Sequence, residues 1–210
     1  MIIAVDGPTA SGKGTVAKAL AEHYGLKRLD TGSLYRAVGL AVLDAGGDPA
    51  DPDAAVAAAK ALDLGAIDEH RIRSSMAGLA ASKVAIIPQV RAVLRQAQQI
   101  FANDPKGAVL DGRDIGTVIC PNAEVKLFVT ASLDERTRRR LAELRARGEQ
   151  ISFEELRAQI AERDERDMTR KDSPLFQAAD AQLLDTTSLS IEAAAAAAVD
   201  LVERVLADRR

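Results

Sequence analysis

Short apolar runs bounded by turn residues recur along the chain: IIAVD at 2–6, AVLDG at 108–112, VKLFVTA at 125–131 and AQLLDTT at 181–187, with a weaker KRLD at 27–30. Runs of this length without polar alternation predict strands buried on both faces, as in a parallel sheet covered by helices. Helical periodicity fills the intervals over roughly Lys13–His23, Thr31–Asp44, Asp53–Leu62, Ile87–Asn103, Asp134–Arg147, Ser152–Arg166 and Ile191–Leu206. SFEE at 152–155 has capping-box spacing and marks a helix start. The polyalanine tract Ala193–Ala198 predicts a closing helix packed against the sheet, because alanine favours helix and allows close approach. The expected fold class is α/β, with a five-stranded parallel sheet flanked by helices.

Two intervals break the strand–helix rhythm. The stretch between Asp30 and Ala108 is far longer than one crossover needs and predicts an inserted helical subdomain. It holds a Gly/Pro/Asp loop, DAGGDPADPD at 44–53, and a patch, GAIDEHRIRSSMAG at 65–78, whose pattern assigns no element. The second interval, Arg136–Arg170, is dense in charge and joins two helices through ARGEQIS, the pattern of a mobile flap.

Composition narrows the class. With 47% hydrophobic and 28% charged residues among 210, the chain suits one domain with small inserts, and at 3% aromatic content its core is aliphatic. A net charge of -3 gives no overall attraction to nucleic acid or anionic membrane, so an anion site must be local. The basic helix pattern RTRRRLAELRAR at 136–147 lacks interleaved aromatic residues for stacking on bases. Cys120 is the lone cysteine and reads as a small apolar core residue; disulfide frameworks and thiolate metal clusters are excluded. The apolar runs are too short to span a bilayer, and MIIAVDG lacks the basic flank of a signal peptide. The expectation is a cytoplasmic monomer with no nucleic-acid or membrane partner.

The most specific chemistry lies between the first strand and first helix. Gly7-Pro8-Thr9-Ala10-Ser11-Gly12-Lys13 satisfies G-x-x-x-x-G-K, with Gly14 in the usual hydroxyl slot and the hydroxyl arriving at Thr15. Glycines let backbone N–H groups converge on a phosphate, the helix N-terminus adds partial positive charge, and Lys13 adds a mobile full charge. Thr15 is the candidate metal contact, toward Mg2+, and a nucleoside triphosphate the expected ligand. Downstream, Arg36, Arg91, Arg113, Arg163 and Arg170 stand near strand ends or on the two inserted intervals, and the guanidinium fork suits phosphate oxygens. DGRDIGT (111–117) starts at the end of a predicted buried strand, where ligands bind in parallel sheets. In ERDERDMTR (162–170), Arg163, Asp167 and Arg170 fall at i, i+4 and i+7, one face of a helix. His23 and His70 lie outside every motif and read as surface residues.

GPTASGKGT, LDTGSLYR (29–36), AASKVA (80–85), PQVR (88–91), DGRDIGTV (111–118) and ERDERDMTR come in the order and approximate spacing of bacterial-type cytidylate kinases. The chain resembles that family over most of its length; the first motif alone resembles the wider nucleoside monophosphate kinases. The resemblance implies a P-loop kinase domain spanning 1–210, with a helical monophosphate-binding insert at 32–106 and a lid at 136–170. It implies ATP on the loop and CMP, with dCMP, as acceptor. Arg36, Arg113 and Arg170 then approach phosphates, and Ser82, Arg91 and Asp114 contact cytosine. Thr31, Arg163 and Asp167 serve the ribose and its surroundings. A carboxylate accepts from the cytosine amino group, which uracil lacks, so Asp114 is the candidate for base choice. The chain departs from the family between Leu64 and Leu79, where members carry a small strand-rich insert and this chain is shorter. UMP and shikimate are the alternative acceptors.

Overall fold

The computed structural model describes residues 1–209, so Arg210, the last residue of the expected domain, lies outside the described residues. Two compact units are present: Met1–Leu29 together with the chain from Phe101 onward, and Asp30–Ile100.

The first unit is built on a five-stranded sheet of β1 (Ile2–Asp6), β2 (Lys27–Asp30), β3 (Ala108–Gly112), β4 (Val125–Thr130) and β5 (Gln182–Asp185), in the order β2-β3-β1-β4-β5. β1 pairs in parallel with β3 (Ile2 opposite Ala108) and with β4 (Ile3 opposite Val125), and β4 pairs in parallel with β5. The order turns around at β1, so ligand chemistry is expected at its carboxyl end.

Both sheet faces are covered, which is why the strands read as unbroken apolar runs. Ile3, Val5, Val109, Leu127 and Val129 face α1 (Lys13–Tyr24) and the C-terminal helix α8 (Ile191–Asp208), burying Val16, Leu20, Ala194, Ala198 and Val202 with them. On the other face, Ala4, Ala108 and Leu110 pack with Ile115, Ile119 and Cys120. Removing a side chain such as the fully buried Leu110 costs about 2–5 kcal/mol. Cys120 is thus an apolar filler, and burial pushes its thiol up to about 11.

α6 (Leu133–Arg145) and α7 (Phe153–Thr169) form a hairpin with its own small core of Leu141, Leu144, Leu156 and Ile160. Each starts on a serine that accepts from the backbone three residues on: Ser132 from Glu135 at 3.3 Å and Ser152 from Glu155 at 3.1 Å. Ser190 does the same for α8.

The second unit holds α2 (Thr31–Asp44), α3 (Pro52–Lys60), α4 (Ser75–Val84) and most of α5 (Pro88–Ala102), with 3-10 turns at Leu64–Ala66 and Arg71–Arg73. Helix α4 has no counterpart among the sequence expectations. It buries the small residues Ala77, Ala80, Ala81 and Val84 while Met76 and Leu79 stay exposed, so hydrophobicity shows little contrast between its faces. The packing explains that choice: a Cβ on Gly39 of α2 would fall 2.7 Å from Ala80 Cβ, so the two helices meet almost backbone to backbone. The 64–79 stretch is therefore turns running into a helix.

Candidate active site

The glycine-rich loop leaves the carboxyl end of β1 and opens α1. A Cβ on Gly7 would fall 2.0 Å from the Val129 carbonyl oxygen, so only glycine lets the chain turn there against β4. Gly12 has φ 87° and Ala10 φ 57°, both left-handed. This places α1's first N–H groups at the loop, the arrangement that attracts anions. Lys13 folds back so that Nζ donates to the Pro8 carbonyl at 3.2 Å. Ser11 is fully buried, and its hydroxyl has no hydrogen-bond partner in the protein. Thr15 is exposed.

Residues far away in sequence brace this loop. Arg139 on α6 donates to the Thr186 hydroxyl at 2.9 Å and carbonyl at 2.7 Å, and the Thr186 hydroxyl donates to the Ser11 carbonyl at 2.9 Å. Arg136, buried in the first turn of α6, donates to the Ala131 carbonyl at 3.0 Å and the Thr9 carbonyl at 3.2 Å, and lies 2.6 Å from Asp164 of α7. A cation at a helix N-terminus opposes the helix dipole, and the two carbonyls and Asp164 offset that. Burial pushes Asp164 above the ordinary carboxylate range against the pull of Arg136.

The second feature is an acid–arginine cluster. β3 delivers Asp111 and Arg113, and Asp114 follows just before a π turn at Ile115–Ile119. Asp111 is held by Arg28, whose Nε and NH2 donate at 3.1 and 2.9 Å. Arg113 Nε donates to Asp167 at 2.8 Å, and Arg170 lies 3.8 Å from Asp167 and 3.7 Å from Asp114. Burial alone would raise the Asp167 carboxyl, yet the combined field of Arg113, Arg163 and Arg170 holds it below its ordinary value. Asp167 is therefore ionised at neutral pH, fixing guanidinium groups that would otherwise repel one another.

Of the helical face expected for Arg163, Asp167 and Arg170, the last member sits at the very end of α7. α7 ends at Thr169 and Arg170 caps it: its N–H still donates to the Arg166 carbonyl at 3.1 Å with φ -60°, and only ψ, at 142°, leaves the helix. Its Nε donates to the Ser173 carbonyl at 2.6 Å, and the Leu175 N–H returns to the Asp167 carbonyl at 2.8 Å. Helical spacing thus brings Arg170 beside Asp167, three residues on, and the turn after the helix holds its guanidinium there.

The remaining candidates lie on the second unit. Thr31 is buried at the start of α2, and Arg36 one turn on stands 3.9 Å from Asp30. Arg91 of α5 is only 2% exposed, donates to the Tyr35 hydroxyl at 3.4 Å and sits 5.9 Å from its ring centroid. Ser82 of α4 is buried with no hydrogen-bond partner for its hydroxyl. His23 and His70 are exposed.

Sequence reasoning missed Asp6, Arg28, Arg136, Arg139, Asp164 and Thr186. Their partners are distant in the chain, and Arg136 and Arg139 sit inside a run that reads as a solvated basic helix. The one signal available was Asp6 itself, a charged residue closing an apolar strand.

A model of the cytidylate kinase family matches residues 3–204. The cytidylate kinase of Rhodopseudomonas palustris strain TIE-1 is 54% identical over 210 residues, covering 100% of this chain and 99% of its own. That of Brucella suis biovar 1 strain 1330 is 54% identical over 209 residues, covering 100% and 95%. The crystal structure of an uncharacterized protein from Eubacterium ventriosum ATCC 27560 shares the fold, with a TM-score of 0.57 at 15% identity over 97% of this chain and 98% of that one. With its whole length matched at this identity, the chain belongs to the cytidylate kinase family and is a nucleoside monophosphate phosphotransferase.

Proposed function

We propose that the enzyme moves the γ-phosphoryl group of ATP onto a phosphate oxygen of CMP or dCMP, releasing ADP and CDP or dCDP. The observation that carries this is a pre-paired acid–arginine cluster on the unit that also carries the glycine-rich loop. A lone triphosphate loop has no use for Arg113, Arg163 and Arg170 drawn together by a buried carboxylate. Two polyanions that must meet do.

The loop Gly7–Thr15 cradles ATP, with Lys13 moving from the Pro8 carbonyl to the transferring phosphoryl. The acceptor phosphate, with a second pKa near ~6, is already largely dianionic at pH 7, so no general base is needed. Its oxygen attacks phosphorus in line as the bond to the bridging oxygen of ADP breaks. Arg36, Arg113, Arg163 and Arg170 neutralise the charge and fix the alignment. Thr31 and Asp167 serve the ribose neighbourhood. Ser82, Arg91 and Asp114 choose the base: Asp114 accepts from the cytosine amino group, and the buried Ser82 hydroxyl is a polar group awaiting a partner. The α6–α7 hairpin acts as the lid that excludes water.

The donor set also fits a magnesium ion. Thr15 offers an exposed hydroxyl, and Asp111 Oδ2 lies 3.7 Å from the position of a Cβ on Gly14. Among the described residues no group of three or more His, Cys, Asp or Glu forms a metal cage; the ion would be held largely by water and nucleotide phosphates. When bound, the ion supplies charge neutralisation to the triphosphate. No single helix among the described residues is long and apolar enough to cross a membrane. The proposal includes a cytoplasmic monomer; the buried lone Cys120 suits a reducing compartment.

The direct test offers CMP, dCMP, UMP, AMP and shikimate in turn with ATP and Mg2+ and reads ADP release. ADP formation with CMP and dCMP at comparable efficiencies is expected, because the shortened 64–79 stretch leaves less structure to discriminate the ribose. Strong preference for AMP, UMP or shikimate, or ADP release without any acceptor, would overturn the assignment.

A further inference from the structure

Asp6 is the last residue of β1, immediately before Gly7, and is buried. Both of its carboxylate oxygens are engaged: Oδ1 accepts from the Ile115 N–H at 2.8 Å and Oδ2 from the Gly116 N–H at 2.7 Å. These N–H groups open the π turn at Ile115–Ile119, where the first donors of a helical turn have no acceptor of their own. The rest of the turn is tied back on the same point, since Val118 and Ile119 donate to the Asp114 carbonyl at 2.9 and 3.1 Å. Asp114 itself is in a non-helical conformation with φ -139° and ψ 24°, and its buried side chain lies 3.7 Å from Arg170.

From this geometry we infer that Asp6 is a positioning residue: its two-pronged grip on the Ile115 and Gly116 amides fixes how Arg113 and Asp114 are presented to the acceptor nucleotide. Burying the carboxylate has a cost, and these two amides offset part of it. Gly116 packs between the Lys126 side chain and Asp6. A Cβ there would fall 3.1 Å from Lys126 Cδ and 3.4 Å from Asp6 Oδ2. The same strand end thus launches the donor loop and clamps the acceptor pair, so the spacing of the two is set by one side chain. The inference rests on the proposal that Arg113 and Asp114 meet the acceptor.

The test is Asp6→Asn, in which one amide acceptor is replaced by an NH2 group facing an N–H. Expected are a fall of about 30-fold in kcat/KM for CMP and a KM for ATP within about threefold of wild type. Equal losses toward both nucleotides would mean a merely structural role, and unchanged kinetics would remove the role altogether; either overturns the inference. Should Asp6→Asn fail to fold, Gly116→Ala pushes the turn away from an intact Asp6. It should show a CMP-specific loss of about tenfold, and normal kinetics there would equally overturn the inference. Asp114→Asn measured alongside separates the two levels. Reduced CMP kinetics in Asp114→Asn with unchanged kinetics in Asp6→Asn would sink only the clamp, whereas unchanged kinetics in both would sink the acceptor assignment as well.

Discussion

The glycine-rich loop and the acid–arginine cluster stand on one unit and are built in opposite ways. The loop is a continuous stretch whose shape is set by its own backbone: a glycine forced by the Val129 carbonyl, left-handed Ala10 and Gly12, and a lysine that satisfies itself on Pro8. The cluster is assembled from two segments more than fifty positions apart, and its shape is set by side-chain charge, with Asp167 organising Arg113 and Arg170. On the proposed assignment, the part that holds the common donor is a portable motif and the part that chooses the acceptor is built by the fold.

The sharpest way to break this contrast is at Lys13. Lys13→Ala removes the mobile charge from the loop and is expected to lower kcat by about 10³-fold or more, measured by ADP release under saturating CMP. Near-normal turnover would mean that the loop's backbone alone holds the triphosphate. Next is Arg170→Ala. It should lower kcat/KM for CMP by about 100-fold while leaving the KM for ATP within about threefold, which initial rates with each nucleotide varied in turn will resolve.

A smaller effect tests the brace between loop and hairpin. Asp164→Ala leaves the Arg136 guanidinium buried with carbonyl partners only, and breaking such a pair costs about 3 kcal/mol. Urea unfolding should show the loss. A variant as stable as wild type would mean that Arg136 is held well enough by Thr9 and Ala131.

The smallest effect separates the two features by pH. Asp167 has a lowered carboxyl, so the stability from its ionised form is present above the unfolded value near ~4 and fades as pH falls through the folded value. Asp6 is the reverse. Burial, only partly offset by the Ile115 and Gly116 amides, raises it to about 7, so the folded state binds the extra proton and this residue's contribution falls as pH rises from the unfolded value toward 7. The groups facing Asp6 are Arg113, Asp114 and Cys120, with Lys126 across Gly116. Unfolding of Asp6→Asn at pH 5 and pH 8 should show its stability improving relative to wild type at the higher pH. For Asp167→Asn the deficit should persist at both. A pH-independent difference for Asp6→Asn would contradict its raised carboxyl.

How much of this was legible in the sequence follows from the same contrast. The strands could be read because both sheet faces are covered, leaving unbroken apolar runs such as Ile2–Val5. The loop could be read because its geometry is local. Helix α4 could not, because an interface made of alanines facing Gly39 leaves no hydrophobic stripe. In the cluster, the residue types of DGRD and ERDERDMTR were visible, but their partners were not. Arg170 is held beside Asp167 by the Ser173 carbonyl beyond the helix end, and Asp6 meets Ile115 across neighbouring strands. Arg136 looked like one more solvated arginine and is instead buried against the loop.

The division between a donor loop and a fold-built acceptor cluster is tested most directly by titrating Arg113→Ala calorimetrically with CMP and, separately, with ATP. Removing Arg113 should weaken CMP binding by about tenfold or more and leave ATP binding within about threefold. Unchanged CMP binding, or an equal loss for ATP, would contradict it.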